Sequence, residues 1–251
     1  MRFYFPKTTS ELWANSGILL SSVAGPHFKA ILRSEISELT TGGGANTGEP
    51  NKHAVAPDEE FNDSDDETDE RHPPPKVART SPAPHAFQEI IITSAAHTTY
   101  AALLNYLYYA KLDFARLRSN RPRGPVTTST ASHQVSPKSL YRLSHYLSIP
   151  VLSVKCLQAI EAAIRPHNVA EELFGDVARD YGQVRKRLID YTVAFWDEIK
   201  DTEALKSIQA ASGEGGELGI ALAVARQLST KRVKREHEEG YECGEVPNPD
   251  W

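Results

Sequence analysis

The sequence predicts an α+β fold in which a small sheet gives way to helices, and three observations predict it. Short runs of aromatic and branched residues, "RFYF" at 2–5 and "IIITS" at 90–94, have the composition of strands. Most other apolar residues recur at i, i+3, i+4 and i+7, the spacing of helices packed on one side. Between the two strand regions, residues 40–86 carry almost no apolar periodicity, so the pattern is split in two.

Taken in order, "RFYF" and the following "TSELWA" read as a strand and its return. "SGILLSSVAG" and "PHFKAILRSEISEL" then give two helical pieces. In the second, Phe28, Ile31, Leu32 and Ile36 keep to one face, and Pro26 suits the first turn. Residues 40–86 combine Gly42, Gly43 and Gly44 with the acidic block "DEEFNDSDDETDE" and "HPPPKVARTSPAPH". Such a composition buries too little apolar surface to offset its ordering entropy, so disorder is expected. Ile90, Ile91 and Ile92 resume as a buried strand.

Next, Tyr100, Leu103, Leu104, Leu107 and Tyr108 mark an amphipathic helix, with Thr98 or Thr99 available as its cap. A loop rich in Arg, Pro, Ser and Thr covers about 115–135. Ser136-Pro137 is a helix start signal, and Pro150 separates that helix from "VLSVKCLQAIEAAI". Val169, Ala170, Leu173, Phe174, Val177, Ala178 and Tyr181 trace one further stripe; Val184, Leu188, Tyr191, Phe195 and Ile199 trace another. A Gly-rich break at 213–219 precedes one more helix and a tail. The strand–helix fragments on either side of the insertion each lack partners. One interrupted domain is the economical solution, because closure entropy grows only logarithmically with loop length.

Charge narrows the function classes. The chain of 251 residues is 40% hydrophobic and carries a formal net charge of −5. Residues 58–70 hold nine acids and no base, and "KRVKR" at 231–235 holds four bases and no acid, which leaves the body neutral. A neutral body argues against a nucleic-acid surface, which needs many phosphate-facing bases. No apolar run has the roughly 18–20 residues needed to span a bilayer, and "MRFYFPKTT" is a poor secretory signal. Cys156 and Cys243 fit no metal or redox spacing, as expected of a soluble, reduced, intracellular protein.

The histidines are scattered without a zinc-site spacing, and there is neither a G-x-S-x-G nor a glycine loop leading into a helix. No catalysis and no cofactor are expected. Tyr106, Tyr108, Tyr109, Trp13 and Trp196, at helical spacing, are expected in the core rather than around a ligand.

These segments resemble a BTB/POZ domain. "RFYFPKTTSELWANSGILLSSVAGPHFKAIL" is similar to that family's opening hairpin and the helix ending in S-x-x-F. "IIITSAAHTTYAALLNYLYYAKLDF" is similar to its strand and "F..LL.YLYTG.L" helix, and "SLYRLSHYLSIPVLSVKCLQAI" to its closing pair. "HNVAEELFGDVARDYGQVRKRLIDYTVAFWDEIKDTEALKSI" resembles the helical extension found after the BTB domain in speckle-type POZ protein. Ala14-Asn15 stands where many members have Ala-His, and the insertion is unusually long.

The resemblance implies a BTB/POZ domain at 1–164, interrupted at about 40–86 and 115–135. A helical extension at 165–210 and an additional helix and tail at 211–251 follow. It also implies a protein-interaction role: a homo-oligomeric substrate adaptor for a cullin-3 type scaffold in a ubiquitin ligase, its substrate unnamed. The alternative is an oligomerisation scaffold in nuclear or transcriptional regulation without ligase binding.

Aligned on the S-x-x-F helix, Ile36-Ser37-Glu38 falls at the hydrophobic-x-Glu motif of cullin-3 adaptors. There Ile36 would enter a partner groove and Glu38 pair at its rim; otherwise Ile36 finishes a core face and Glu38 is solvated. Lys231, Arg232, Lys234 and Arg235 match a nuclear-import pattern, so nucleus and cytoplasm are both expected compartments. The same bases equally suit a solvated helix end. Ser64, before Asp65, Asp66 and Glu67, suits an acidophilic kinase, and Ser81-Pro82 a proline-directed one.

Overall fold

The computed structural model describes residues 1–33, 64–76, 89–120 and 134–212. The chain divides into two units, 1–162 and 163–251. The architecture is mixed α and β, with one three-stranded sheet and many helices.

In the first unit, β1 (Arg2–Phe5) returns antiparallel as β2 (Ser10–Trp13), with Phe3 opposite Leu12. β3 (Glu89–Ile91) lies parallel to the other edge of β1, with Phe3 beside Ile90, so the sheet order is β2-β1-β3. Strand alternation sends Phe3 and Phe5 inward, at 0% and 2% exposure. Burying each ring contributes about 2–3 kcal/mol.

Helices cover that inner face. α1 (Ser16–Ser21) is capped by Asn15, whose Oδ1 accepts from the Gly17 and Ile18 amides at 2.8 and 3.3 Å. The Ala14-Asn15 departure thus supplies a helix cap. α2 (Gly25–Arg33) follows so closely that a Cβ on Gly25 would sit 2.4 Å from the Leu20 carbonyl oxygen. Phe28 of α2 is fully buried and meets Phe3 at 6.1 Å between ring centroids.

α3 is the acidic helix Ser64–Arg71, and α4 spans His97–Tyr109. Tyr100 of α4 also meets Phe3, at 5.4 Å. Elements from both sides of the insertion therefore close on one aromatic cluster.

α5 (Pro137–Tyr146) starts at the Ser136 cap, whose Oγ accepts from the Ser139 amide. The tight turn to α6 (Pro150–Ala163) holds Ser148 at φ 54° and buries Leu147 and Ile149 completely. The Ser144 and Ser153 hydroxyls, 2.8 Å apart, tie the two helices together. Phe114 and Val135 form an isolated bridge across the base of the loop between them.

The second unit is all helical where described. Its elements are α7 (Val169–Leu173), α8 (Asp176–Asp180), α9 (Gly182–Ala194), α10 (Trp196–Ile199) and α11 (Glu203–Ser212). The stripe expected from Val169 to Tyr181 is divided at Gly175, which caps α8. Val169, Ala170, Val177, Ala178, Val184, Leu188, Ile199 and Leu205 form the core. Asn168 folds the entry, its Oδ1 accepting from the Arg165 amide at 2.7 Å and its Nδ2 donating to the Ala163 carbonyl at 3.3 Å.

Three expectations are corrected. Part of the stretch expected to be disordered is ordered: residues 64–71 form α3, with Asp65 and Asp69 buried. Composition missed this because no apolar residue holds the helix; its carboxylates do. Neither Thr98 nor Thr99 caps α4. The N-cap is Ala96, without a side-chain hydrogen bond, and both threonines lie inside the first turn.

Third, Trp13 and Tyr109 are 54% and 68% exposed, not core. Each ends its element, Trp13 on the edge strand β2 and Tyr109 at the last turn of α4. Tyr106, Tyr108 and Trp196 are half-buried.

Candidate functional site

The described surface offers no cluster of three His, Cys, Asp or Glu side chains that could hold a metal. It does present large apolar side chains to solvent: Phe195 in the second unit, at 41% exposure although expected in a core stripe, and two groups in the first unit.

One group follows from the α5–α6 corner. The sharp turn at 147–149 buries Leu147, Ile149 and Leu152 on its inner side and leaves Tyr146, Val151 and Val154 outside, at 68%, 54% and 52% exposure. Val151 and Val154, three residues apart on α6, share a helix face. α2 reaches this row through His27, whose ring stands edge-on to Tyr146 at 5.4 Å. The His27 Nε2 is buried without a hydrogen-bond partner, and desolvation holds its pKa below the usual histidine value. A neutral imidazole backed by an aromatic ring keeps the seat of this row apolar.

The other group comprises Trp13, Ile18, Val23 and Tyr109. Within its span the Asn15 amide donates to the Tyr108 hydroxyl, and Tyr108 meets Tyr109 with ring centroids 6.0 Å apart. The Trp13 indole donates to Glu11 Oε1 at 2.8 Å, and the Arg2 guanidinium lies 6.0 Å from its ring. Among the described strands β2 is the outer one on this side of the sheet.

A polar cluster joins α3 to the starts of α4 and α5. The Thr98 amide and hydroxyl both donate to Asp69, the Thr99 hydroxyl donates to Asp65 at 2.8 Å, and the Ser136 amide donates to Asp65 at 3.0 Å. Two carboxylates thereby satisfy donors that the first turns of two helices would otherwise leave open. An Asp-x-x-x-Asp spacing in the acidic block was the available signal, since residues four apart share a helix face.

Of the residues singled out by sequence, Ile36, Glu38, Ser81, Lys231, Arg232, Lys234 and Arg235 lie outside the described residues. Ser64 is the first residue of α3. The apolar row at Tyr146, Val151 and Val154 went unread, because helical periodicity marks faces without saying which face another element covers. No helix among the described residues is long and apolar enough to cross a membrane. No protein-family model matches the chain, and no curated protein matches it significantly.

Proposed function

We propose that the chain is a protein-interaction module of the BTB/POZ type, working as a substrate adaptor on a cullin-3 type ubiquitin ligase scaffold. The observation that carries this reading is the exposed apolar row Tyr146, Val151 and Val154 beside α2. Ile36 and Glu38 follow α2 by three and five residues. The motif thus follows in sequence the helix whose His27 meets Tyr146 of the row. An exposed tyrosine is a residue type enriched in interface cores.

The C-terminal position of α4 adds support. The resembled pattern "F..LL.YLYTG.L" has glycine where this chain has Ala110, and Ala110 sits at φ 55°, ψ 22°, a conformation that favours glycine. No catalytic step or cofactor is assigned to the chain. On this reading the second unit also takes part in scaffold binding, and substrates are met by segments outside the described residues.

The test is co-purification with the cullin scaffold. Y146K/V151K and I36K/E38A should each lower capture at least tenfold. The Y146K/V151K pair should leave the melting temperature within about 2 °C, since substitutions at exposed positions typically change stability by under about 0.5 kcal/mol. Full capture by both variants would refute the adaptor reading.

A second reading rests on the other apolar group: an oligomerisation scaffold in nuclear regulation, joined through Trp13, Ile18 and Tyr109. It requires that the unaltered chain capture no cullin and that I18K/Y109K convert an oligomer to a monomer in sedimentation.

A further inference from the structure

α3 has the sequence SDDETDER, without one apolar side chain, yet it docks with Asp65 and Asp69 at 2% and 3% exposure. Among the described residues, the side-chain contacts that follow are polar. Asp69 takes the Thr98 amide at 3.3 and 3.4 Å and the Thr98 hydroxyl. Asp65 takes the Thr99 hydroxyl at 2.8 Å and the Ser136 amide at 3.0 and 3.2 Å. At the rim, Lys7 lies 3.8 Å from Asp66, and Arg118 pairs with Glu67.

Four donors from two helix starts thus converge on two carboxylates one helical turn apart, with two cations outside them. Because buried charges cost several kcal/mol each to desolvate, charged hydrogen bonds largely offset that cost rather than exceed it. A helix that brings no apolar side chain to its seat can be replaced there by another segment offering the same carboxylates.

We propose that the notch formed by Thr98, Thr99 and Ser136, between Lys7 and Arg118, is a docking site for an acidic helical segment of a partner protein. The recognised feature is two aspartates four residues apart. α3 is its occupant in cis, an internal competitor that the partner segment displaces. Neither the donors nor the occupant belongs to the apolar row, so this inference does not rest on the adaptor reading.

The experiment uses the full chain and a labelled peptide of residues 62–73, read by fluorescence anisotropy. In D65A/D69A the cis helix loses its grip and the notch opens. That variant should bind the peptide at least tenfold more tightly than the unaltered chain. A peptide carrying the same two alanines, or one of equal charge with the aspartates three apart, should bind at least tenfold more weakly. Absent binding to a D65A/D69A chain of unchanged circular dichroism would overturn the proposal, as would equal binding of the rearranged peptide.

Should D65A/D69A fail to fold, hydrogen exchange on the unaltered chain decides. Amides of 65–71 should exchange at least tenfold faster than those of 101–107, and excess peptide should speed the former alone. Equal exchange in the two segments, or no response to peptide, would overturn the proposal.

Discussion

Ala110→Gly should stabilise this protein although it removes a side-chain carbon. Ala110 closes α4 in the left-handed region, its amide donating to the Tyr106 carbonyl at 2.8 Å. An L-residue there carries a steric cost of about 1–2 kcal/mol, from Cβ against its own carbonyl. Glycine removes that cost but enlarges the unfolded ensemble, returning about 0.4–1 kcal/mol. The net is a gain of about 0.5–1 kcal/mol, or roughly 1–4 °C for a chain of this size.

Ala101→Gly, inside the same helix, supplies the opposite sign. There glycine finds no strain to relieve, and the cost is about 1 kcal/mol. Thermal melts of the two variants beside the parent, followed at 222 nm, make the assay. A drop in melting temperature for Ala110→Gly comparable with that of Ala101→Gly would refute the reasoning. It would mean the left-handed turn is absent in solution.

Phe28→Ala should cost about 3–5 kcal/mol, because the ring is fully buried between α2 and Phe3; chemical denaturation measures it, and a loss under 1 kcal/mol would separate α2 from the core. Desolvation lowers the pKa of His27, so between its folded and ordinary values the unfolded chain binds more protons. Stability is therefore complete above about pH 6.5 and falls as pH drops through that window. His27→Gln should flatten part of this slope in urea melts at pH 7.5 and 5.5, and an unchanged slope would contradict the burial. Cys156 is fully buried and its thiol is pushed up to about 12 by desolvation. Iodoacetamide followed by mass spectrometry should label it only after denaturation, and rapid labelling of the native chain would refute its place in the core.

Local signals carried much of the fold into plain view. Alternating aromatics gave the β1–β2 hairpin, Ser136-Pro137 gave the start of α5, and Pro150 gave the start of α6. Each depends on chemistry within a few residues: pleat, cap, or a fixed φ. The candidate surface was less legible. Tyr146, Val151 and Val154 repeat at ordinary helical spacing, and nothing local distinguishes them from the buried Leu152 and Cys156 beside them.

The amino-acid order on its own determined where many of the strands and helices form, that the body is neutral, and that its two charge blocks stand apart. Only the tertiary structure decided that the acidic block would contribute a helix. The donors that hold Asp65 and Asp69 lie 29 to 71 residues away along the chain. A carboxylate's fate, solvated or buried, depends on which amides and hydroxyls face it, and those come from the starts of two other helices. The same holds for Trp13 and Tyr109, whose exposure reflects where neighbouring elements end rather than the residues' own preference for the interior.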